Sequence, residues 1–220
     1  MVNWEIIEKN LNKVTKPGRY IGNEYNVQIK EWDSVELKVA LAFPDLYEIG
    51  MSHLGLRILY ELINSQPGML AERVYSPWLD FQELLRNLGQ PLYALESKRS
   101  LHEFDVVGFS LQYEMSYTNI LTILDLAGIP LLAADRSETD PLIIGGGPCA
   151  FNPEPLTDFF DFFFLGEAEE ALTGVLDQIR QLRNAGCSKT ELLTVLQQIP
   201  GVYVPTLFDI SYRPDGKIER

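Results

Sequence analysis

Two short, densely apolar runs that each end in small residues set the strongest limit on how this chain can fold. Within Pro141–Leu172, PLIIGGGPCAFNPEPLTDFFDFFFLGEAEEAL, Leu142-Ile143-Ile144 runs into Gly145-Gly146-Gly147-Pro148. Phe162-Phe163-Phe164-Leu165 runs into Gly166-Glu167, and a helical pattern follows at once. Unbroken apolar runs of this length fit strands buried on both faces, as in parallel sheets covered by helices. Strands that end in glycine beside helix starts build ligand crevices along the carboxyl edge of open α/β sheets. The paired glycine turns therefore predict a binding site.

The rest of the chain alternates in the same way. Leu37–Phe43 reads as a first buried strand, stopped by Pro44-Asp45; a helix carried by Leu54, Ile58, Leu59 and Leu62 follows, with Ser52 as its N-cap. Leu70–Tyr75 reads as a second strand, and Ser76-Pro77 as the start of a helix that buries Phe81, Leu84, Leu85 and Leu88 and stops at Gly89. Pro91–Leu95 is predicted as a short third strand, Asp105–Ser110 as a central fourth, and Leu131–Ala133 as another short one. A helix capped by Ser116 runs through Ile120, Ile123, Leu124 and Ala127 to Gly128. Ala168 to Ile179 forms a long amphipathic helix, and Ser188-Lys189-Thr190-Glu191 is a capping box opening another. Such alternation predicts a flavodoxin-like, doubly wound, mainly parallel sheet with helices on both faces.

Three segments are expected: an N-terminal helix and linker over 1–34, read as an appendage to the sheet; an α/β domain over 35–185; and a helix with an extended tail over 186–220 containing an Asp-Gly turn, Asp215-Gly216, that leads into a further domain. With 18 Lys and Arg against 31 Asp and Glu, the net charge of −13 argues against a broad nucleic-acid surface. Lys13, Lys16 and Arg19 are the local basic residues with which a phosphate contact is conceivable. The two cysteines, Cys149 and Cys187, form no Cys-x-x-Cys arrangement and cannot by themselves hold zinc or an iron–sulfur cluster. The opening MVNWEIIEKN has no apolar signal core, and no apolar run approaches the roughly 20 residues of a membrane helix, so a cytoplasmic, reducing location is expected.

Five segments, taken in order, carry a resemblance: Pro17–Glu24 (PGRYIGNE), Phe43–Gly55 (FPDLYEIGMSHLG), Gly108–Glu114 (GFSLQYE), Gly145–Pro148, and Gly166-Glu167-Ala168-Glu169. The chain resembles the N-terminal part of a bacterial radical S-adenosylmethionine (SAM) protein family whose first domain is similar to the cobalamin-binding domain. The resemblance covers nearly all 220 residues. It implies a cobalamin-type fold ahead of a barrel that holds a four-iron (4Fe-4S) cluster on a Cys-x-x-x-Cys-x-x-Cys loop and cleaves SAM. No such triplet occurs here, so the chain is not expected to be catalytic alone. Many cobalamin-binding domains also carry Asp-x-His-x-x-Gly, whose histidine ligates cobalt. His53 has Met51 and Leu56 at the flanking positions of that motif, and His102 in Ser100–Asp105 fails it too. The resemblance thus implies cobalamin bound without a histidine lower ligand, and no metal-ligating side chain is expected in this chain.

The residues expected to meet that ligand are Ser110, Leu111 and Gln112 after the central strand, Gly145, Gly146, Gly147 and Pro148 in the glycine turn, and Gly166 and Glu167 at the last helix start. Glycines let backbone N–H groups approach a ligand closely, and Ser110 and Gln112 suit an amide-rich rim. His53 reads as a polar cap, Asp45 and Glu48 as loop carboxylates that a pairing would bring together, Cys149 as a small buried residue, and the five phenylalanines of 159–164 as sheet core. The expected partners are the chain's own C-terminal radical SAM domain and a small-molecule cofactor. A rival reading is a degenerate domain that binds no cofactor and recruits a macromolecular substrate such as a tRNA or a peptide. A free-standing nucleotide-binding enzyme is disfavoured, because no Gly-x-Gly-x-x-Gly follows the first strand and no Walker loop exists.

Overall fold

The structure, a computed structural model, describes residues 2–208, 211–217 and 219. Helix α1 (Trp4–Asn10) precedes strand β1 (Leu37–Phe43), the short α2 (Tyr47–Ser52), α3 (Leu54–Asn64) and β2 (Met69–Tyr75). Then come α4 (Leu79–Leu88), β3 (Val106–Ser110), α5 (Tyr117–Ala127), β4 (Leu142–Gly146), β5 (Phe162–Phe164), α6 (Ala168–Asn184), α7 (Lys189–Leu196) and β6 (Val202–Tyr203). The strands form one sheet in the order β2-β1-β3-β4-β5-β6. All pairs are parallel except β5 with β6. Order 2-1-3-4-5 is the flavodoxin-like arrangement, so the expected fold class is the observed one.

The two sheet faces bury different side chains. Ala40, Val107, Phe109, Ile143 and Phe163 point to one face, under Phe81 and Leu85 of α4 and Ile120, Ile123 and Leu124 of α5. Leu37, Val39, Leu41, Ile144, Phe162 and Phe164 point to the other, under Leu56 and Ile63 of α3 and Leu172, Leu176 and Ile179 of α6. Strand residues alternate between faces, and both sets being apolar explains the unbroken hydrophobic runs.

Several local expectations are corrected. Pro91–Leu95 is not a sheet strand. It is an extended strap beside the outer edge of β2, where Leu95 N–H donates to the Arg73 carbonyl (2.8 Å) and Tyr93 bridges only Ser100. The Glu96 carboxylate accepts the Arg73 N–H (2.8 Å), so a side chain replaces the next ladder bond and the edge is closed to further pairing. Leu131–Ala133 is also no strand, because the Pro130 and Leu131 carbonyls both accept from the Arg136 guanidinium (3.1 Å each). The helix expected at Ser76-Pro77 begins at Leu79, since Ser76 N–H is taken by the Asp45 carbonyl (2.9 Å) and Trp78 N–H by the Tyr20 hydroxyl (3.2 Å).

Ser52 does not cap α3. Its hydroxyl donates back to Ile49 O (2.8 Å), and His53 is the cap. Leu54 and Ile58 consequently lie exposed, and α3 buries Leu56, Tyr60 and Ile63. Ser116 is the α5 N-cap by position, but its hydroxyl donates to Tyr113 O (2.8 Å) and makes no capping bond. The opening segment, read as an appendage, is built into the core: Ile7, Leu11 and Tyr20 are buried, and the Tyr20 ring stacks on Phe81 at 3.7 Å. The Ser188–Glu191 capping box is present. In the tail, Gly216 N–H donates to Arg213 O (2.9 Å) in the expected turn, while Asp209, Ile210 and Ile218 lie outside the described residues.

Candidate functional site

A crevice of about 460 Å³ opens at the carboxyl edge of the sheet, between its α3/α6 face and those two helices. In open α/β sheets such crevices lie where the strand order reverses, here between β1 and β3. Its walls are apolar, from Leu41, Leu56, Ile144, Phe164, Leu172 and Leu176, and its rim carries Ser110, Gln112, His53, Glu167 and Glu169.

The structure gathers Ser110, Gln112, Gly145, Gly146, Gly147, Pro148, Gly166 and Glu167 around this one crevice. Leu111 is the exception. Its side chain is fully buried on the opposite face, and it acts through its backbone: Leu111 N–H donates to Gly146 O (2.7 Å) and Leu111 O accepts from Cys149 N–H (3.1 Å). Those two bonds fix the glycine turn against the end of β3. The Gln112 side-chain amide donates to Ser110 Oγ (2.9 Å), so the serine hydroxyl proton and the glutamine carbonyl remain for other partners.

The three glycines of the turn have three different causes. A Cβ on Gly145 would point to the filled face and come within 2.9–3.0 Å of Leu111, Phe160 and Phe163. Gly147 has φ +109°, and a Cβ there would meet Leu111 O at 2.8 Å. Gly146 has neither constraint: its φ is ordinary and a Cβ would meet only Phe164 O at 3.7 Å. Gly108, next to Ile144 in the register, is equally unconstrained, with the nearest contact at 3.5 Å. Both line the crevice, so the missing side chains at 108 and 146 are what make it hollow. Sequence reading singled out the triple glycine but passed over Gly108, although a glycine inside a strand marks close approach of another group.

At the rim, Glu167 occupies the N-cap position of α6 without making a side-chain capping bond. His53 Nδ1 accepts the Leu56 N–H at 3.1 Å. Two of the three basic residues singled out in the N-terminal segment are engaged elsewhere: Lys16 and Arg19 bind Glu48 at 2.9 and 3.0 Å. Their hydrogen bonds hold the Glu48 carboxyl down at about 2. Asp45 accepts the Tyr113 hydroxyl (2.5 Å) and the Leu46 N–H (2.7 Å), so Asp45 and Glu48 have separate partners and do not act as a carboxylate pair. Burial, then Glu114, pushes the Cys149 thiol above its ordinary value, which fits an inert residue rather than a nucleophile. Among the described residues no group of three metal-ligating side chains is found, and no helix is long and apolar enough to cross a membrane.

Two comparisons bear on this geometry. An uncharacterised protein of Methanocaldococcus jannaschii, MJ0966, is 27% identical over 133 residues, which make up 60% of this chain and 24% of that protein. The chain therefore spans about a quarter of the length of this curated relative. The profile of the family described as radical SAM proteins, N-terminal, matches residues 55–205, well over half of the chain and every predicted crevice residue. The chain belongs to that family, the N-terminal region of radical SAM proteins.

Proposed function

We propose that this chain is a ligand-binding N-terminal domain of a radical SAM protein, that its crevice receives the nucleotide tail of cobalamin, and that no histidine ligates the cobalt. The observation that carries the reading is the pair Gly108 and Gly146. Neither backbone conformation nor packing requires glycine at either position, and both omissions deepen one cavity. At about 460 Å³ the crevice lies in the range of small-molecule sites, so it suits a flat heterocycle and sugar, with the corrin ring left outside at the sheet edge. Among the described residues no lysine or arginine lines it, which disfavours the polyphosphate of a free nucleotide. Ser110, Gln112, Glu167 and Glu169 offer hydroxyl, amide and carboxylate partners to the amide-rich edge of a corrinoid. Bound cobalamin would supply a metal centre for methyl transfer or one-electron chemistry; the chain's own residues hold and orient the ligand.

The sheet edge around the crevice mouth is fitted to face a second body. Ile49, Met51 and Leu54 after β1, Met115 after β3 and Phe151 after β4 are all exposed. We assign this apolar rim to the downstream cluster-binding barrel, which places the corrin between the two halves and keeps 4Fe-4S and SAM chemistry outside this chain. The same rim favours the second reading, an interaction module that recruits a macromolecular substrate without a cofactor. The test is to incubate the purified chain with hydroxocobalamin, desalt, and record the visible spectrum. Retention near one corrin per chain is expected, and no retention rejects the binding claim.

A further inference from the structure

The crevice is bordered by one imidazole whose neutral tautomer is set by a backbone hydrogen bond. His53 Nδ1 accepts the N–H of Leu56, and Leu56 is buried in the core, so that N–H has no water to turn to. A neutral imidazole has one lone pair and one N–H. Committing the Nδ1 lone pair to the cap puts the proton on Nε2. The ring is also held in place: Phe43 lies against it with centroids 5.1 Å apart, and a Cβ on Gly55 would come within 3.0 Å of its Cε1. Gly55 thus leaves room for the imidazole to lie over the first turn of α3. His53 borders the crevice, and among the described residues its Nε2 has no hydrogen-bond partner.

We propose that His53 is a ligand-binding residue of the crevice that donates its Nε2–H to an acceptor oxygen of the bound molecule, an amide carbonyl or a phosphate oxygen, and that it is not a metal ligand. Binding a metal through Nε2 would move the proton to Nδ1, break the cap and leave the Leu56 N–H unpaired. Among the described residues the lining holds no lysine or arginine, and His53, Ser110 and Gln112 are its side-chain donors. This inference rests on the cobalamin reading above and adds the residue that reads the ligand's acceptor.

Nitrogen-15 long-range correlation spectra test it. The chain has only two histidines, and a His102→Gln variant assigns them. In the free chain, Nδ1 of His53 is expected to be unprotonated and Nε2 proton-bearing. On addition of hydroxocobalamin, Nε2 is expected to keep its proton and its signal to move. His53→Asn, which preserves a capping side chain, is expected to keep the melting temperature and to weaken retention by about 2- to 10-fold, the range of one neutral hydrogen bond. A proton on Nδ1, a cobalt-bound Nε2, or uptake with unmoved His53 signals and unchanged affinity in the variant would each overturn the donor assignment alone. Absence of any uptake by the native chain would reject the cobalamin reading and this contact with it.

Discussion

The two faces of the same sheet are finished in opposite ways. On the α4/α5 face, Phe109 meets Phe160 edge-on at 5.7 Å and Phe160 stacks on Phe163 at 4.9 Å, and Gly145 is small because Phe160, Phe163 and Leu111 leave no room. On the α3/α6 face, Gly108 and Gly146 are small although room is available, and the space stays open to the sheet edge. Neighbouring glycines in one turn therefore serve different ends: one seals a core, one bends the chain, and one leaves a cavity. Close-packed interiors do not keep voids without cause, so the hollow face is where function is to be sought.

The largest effect is expected on the filled side, away from the crevice, where Asp161 ties a buried charge cluster to the sheet. Asp161 is buried and accepts Ile143 N–H (2.7 Å), with Lys189 at 2.7 Å and the buried Arg136 at 3.5 Å. Asp161→Ala leaves Arg136 without its counter-charge, and a loss of about 3–5 kcal/mol of stability is expected in denaturant unfolding. Gly145→Val tests the filled face: its side chain must displace Leu111 or the phenylalanines, which should cost about 1–3 kcal/mol and lower the melting temperature by several degrees.

Gly146→Val is the matched opposite. Stability is expected to stay within about 0.5 kcal/mol of native, because nothing but Phe164 O lies near the new Cβ, while the crevice floor is filled. Gly174 sits exposed inside α6 with nothing within 4 Å, so Gly174→Ala should stabilise the helix roofing the hollow face by about 0.5–1 kcal/mol in thermal unfolding. A small, pH-dependent effect is expected where the opening segment meets Glu48 through Lys16 and Arg19. The Glu48 carboxyl is depressed to about 2 by its hydrogen bonds to Lys16 and Arg19, so its contribution is complete above the ordinary 4.5 and disappears as the pH falls toward 2. Because Glu48 is half exposed, Glu48→Gln should change stability by less than about 1 kcal/mol, and only above that window.

Much of this architecture was legible in the sequence. Apolar-rich runs mark β1 to β5, unbroken in β4 and β5 but interrupted by Lys38 in β1 and by Glu72 and Arg73 in β2, and their alternation with amphipathic helices marks the parallel, doubly wound layout. The short runs at Pro91–Leu95 and Leu131–Ala133 misled because apolar content cannot reveal that the Glu96 carboxylate and the Arg136 guanidinium take the backbone groups a ladder would need. Apolar spacing points to the wrong face of α3 because Leu54 and Ile58 are apolar yet exposed, while Leu56, Tyr60 and Ile63 are buried. At the site, eight of the nine chosen residues meet at one cavity, as strand ends converging on one edge must. Leu111 departs because strand alternation carries on past Ser110 and turns its side chain to the other face. His53 is a cap, as its position at a helix start implies; that its Nε2 borders a crevice depends on α3 roofing the cavity, which local sequence does not encode.

The central claim is that the space above Gly108 and Gly146 exists to hold a ligand. A parallel titration of hydroxocobalamin into the native chain and into Gly146→Val, followed by visible absorbance with melting temperatures measured alongside, tests it most directly. Saturable uptake by the native chain and at least tenfold weaker uptake by an equally stable variant is the expected result. Equal uptake by both, or none by either, would contradict it.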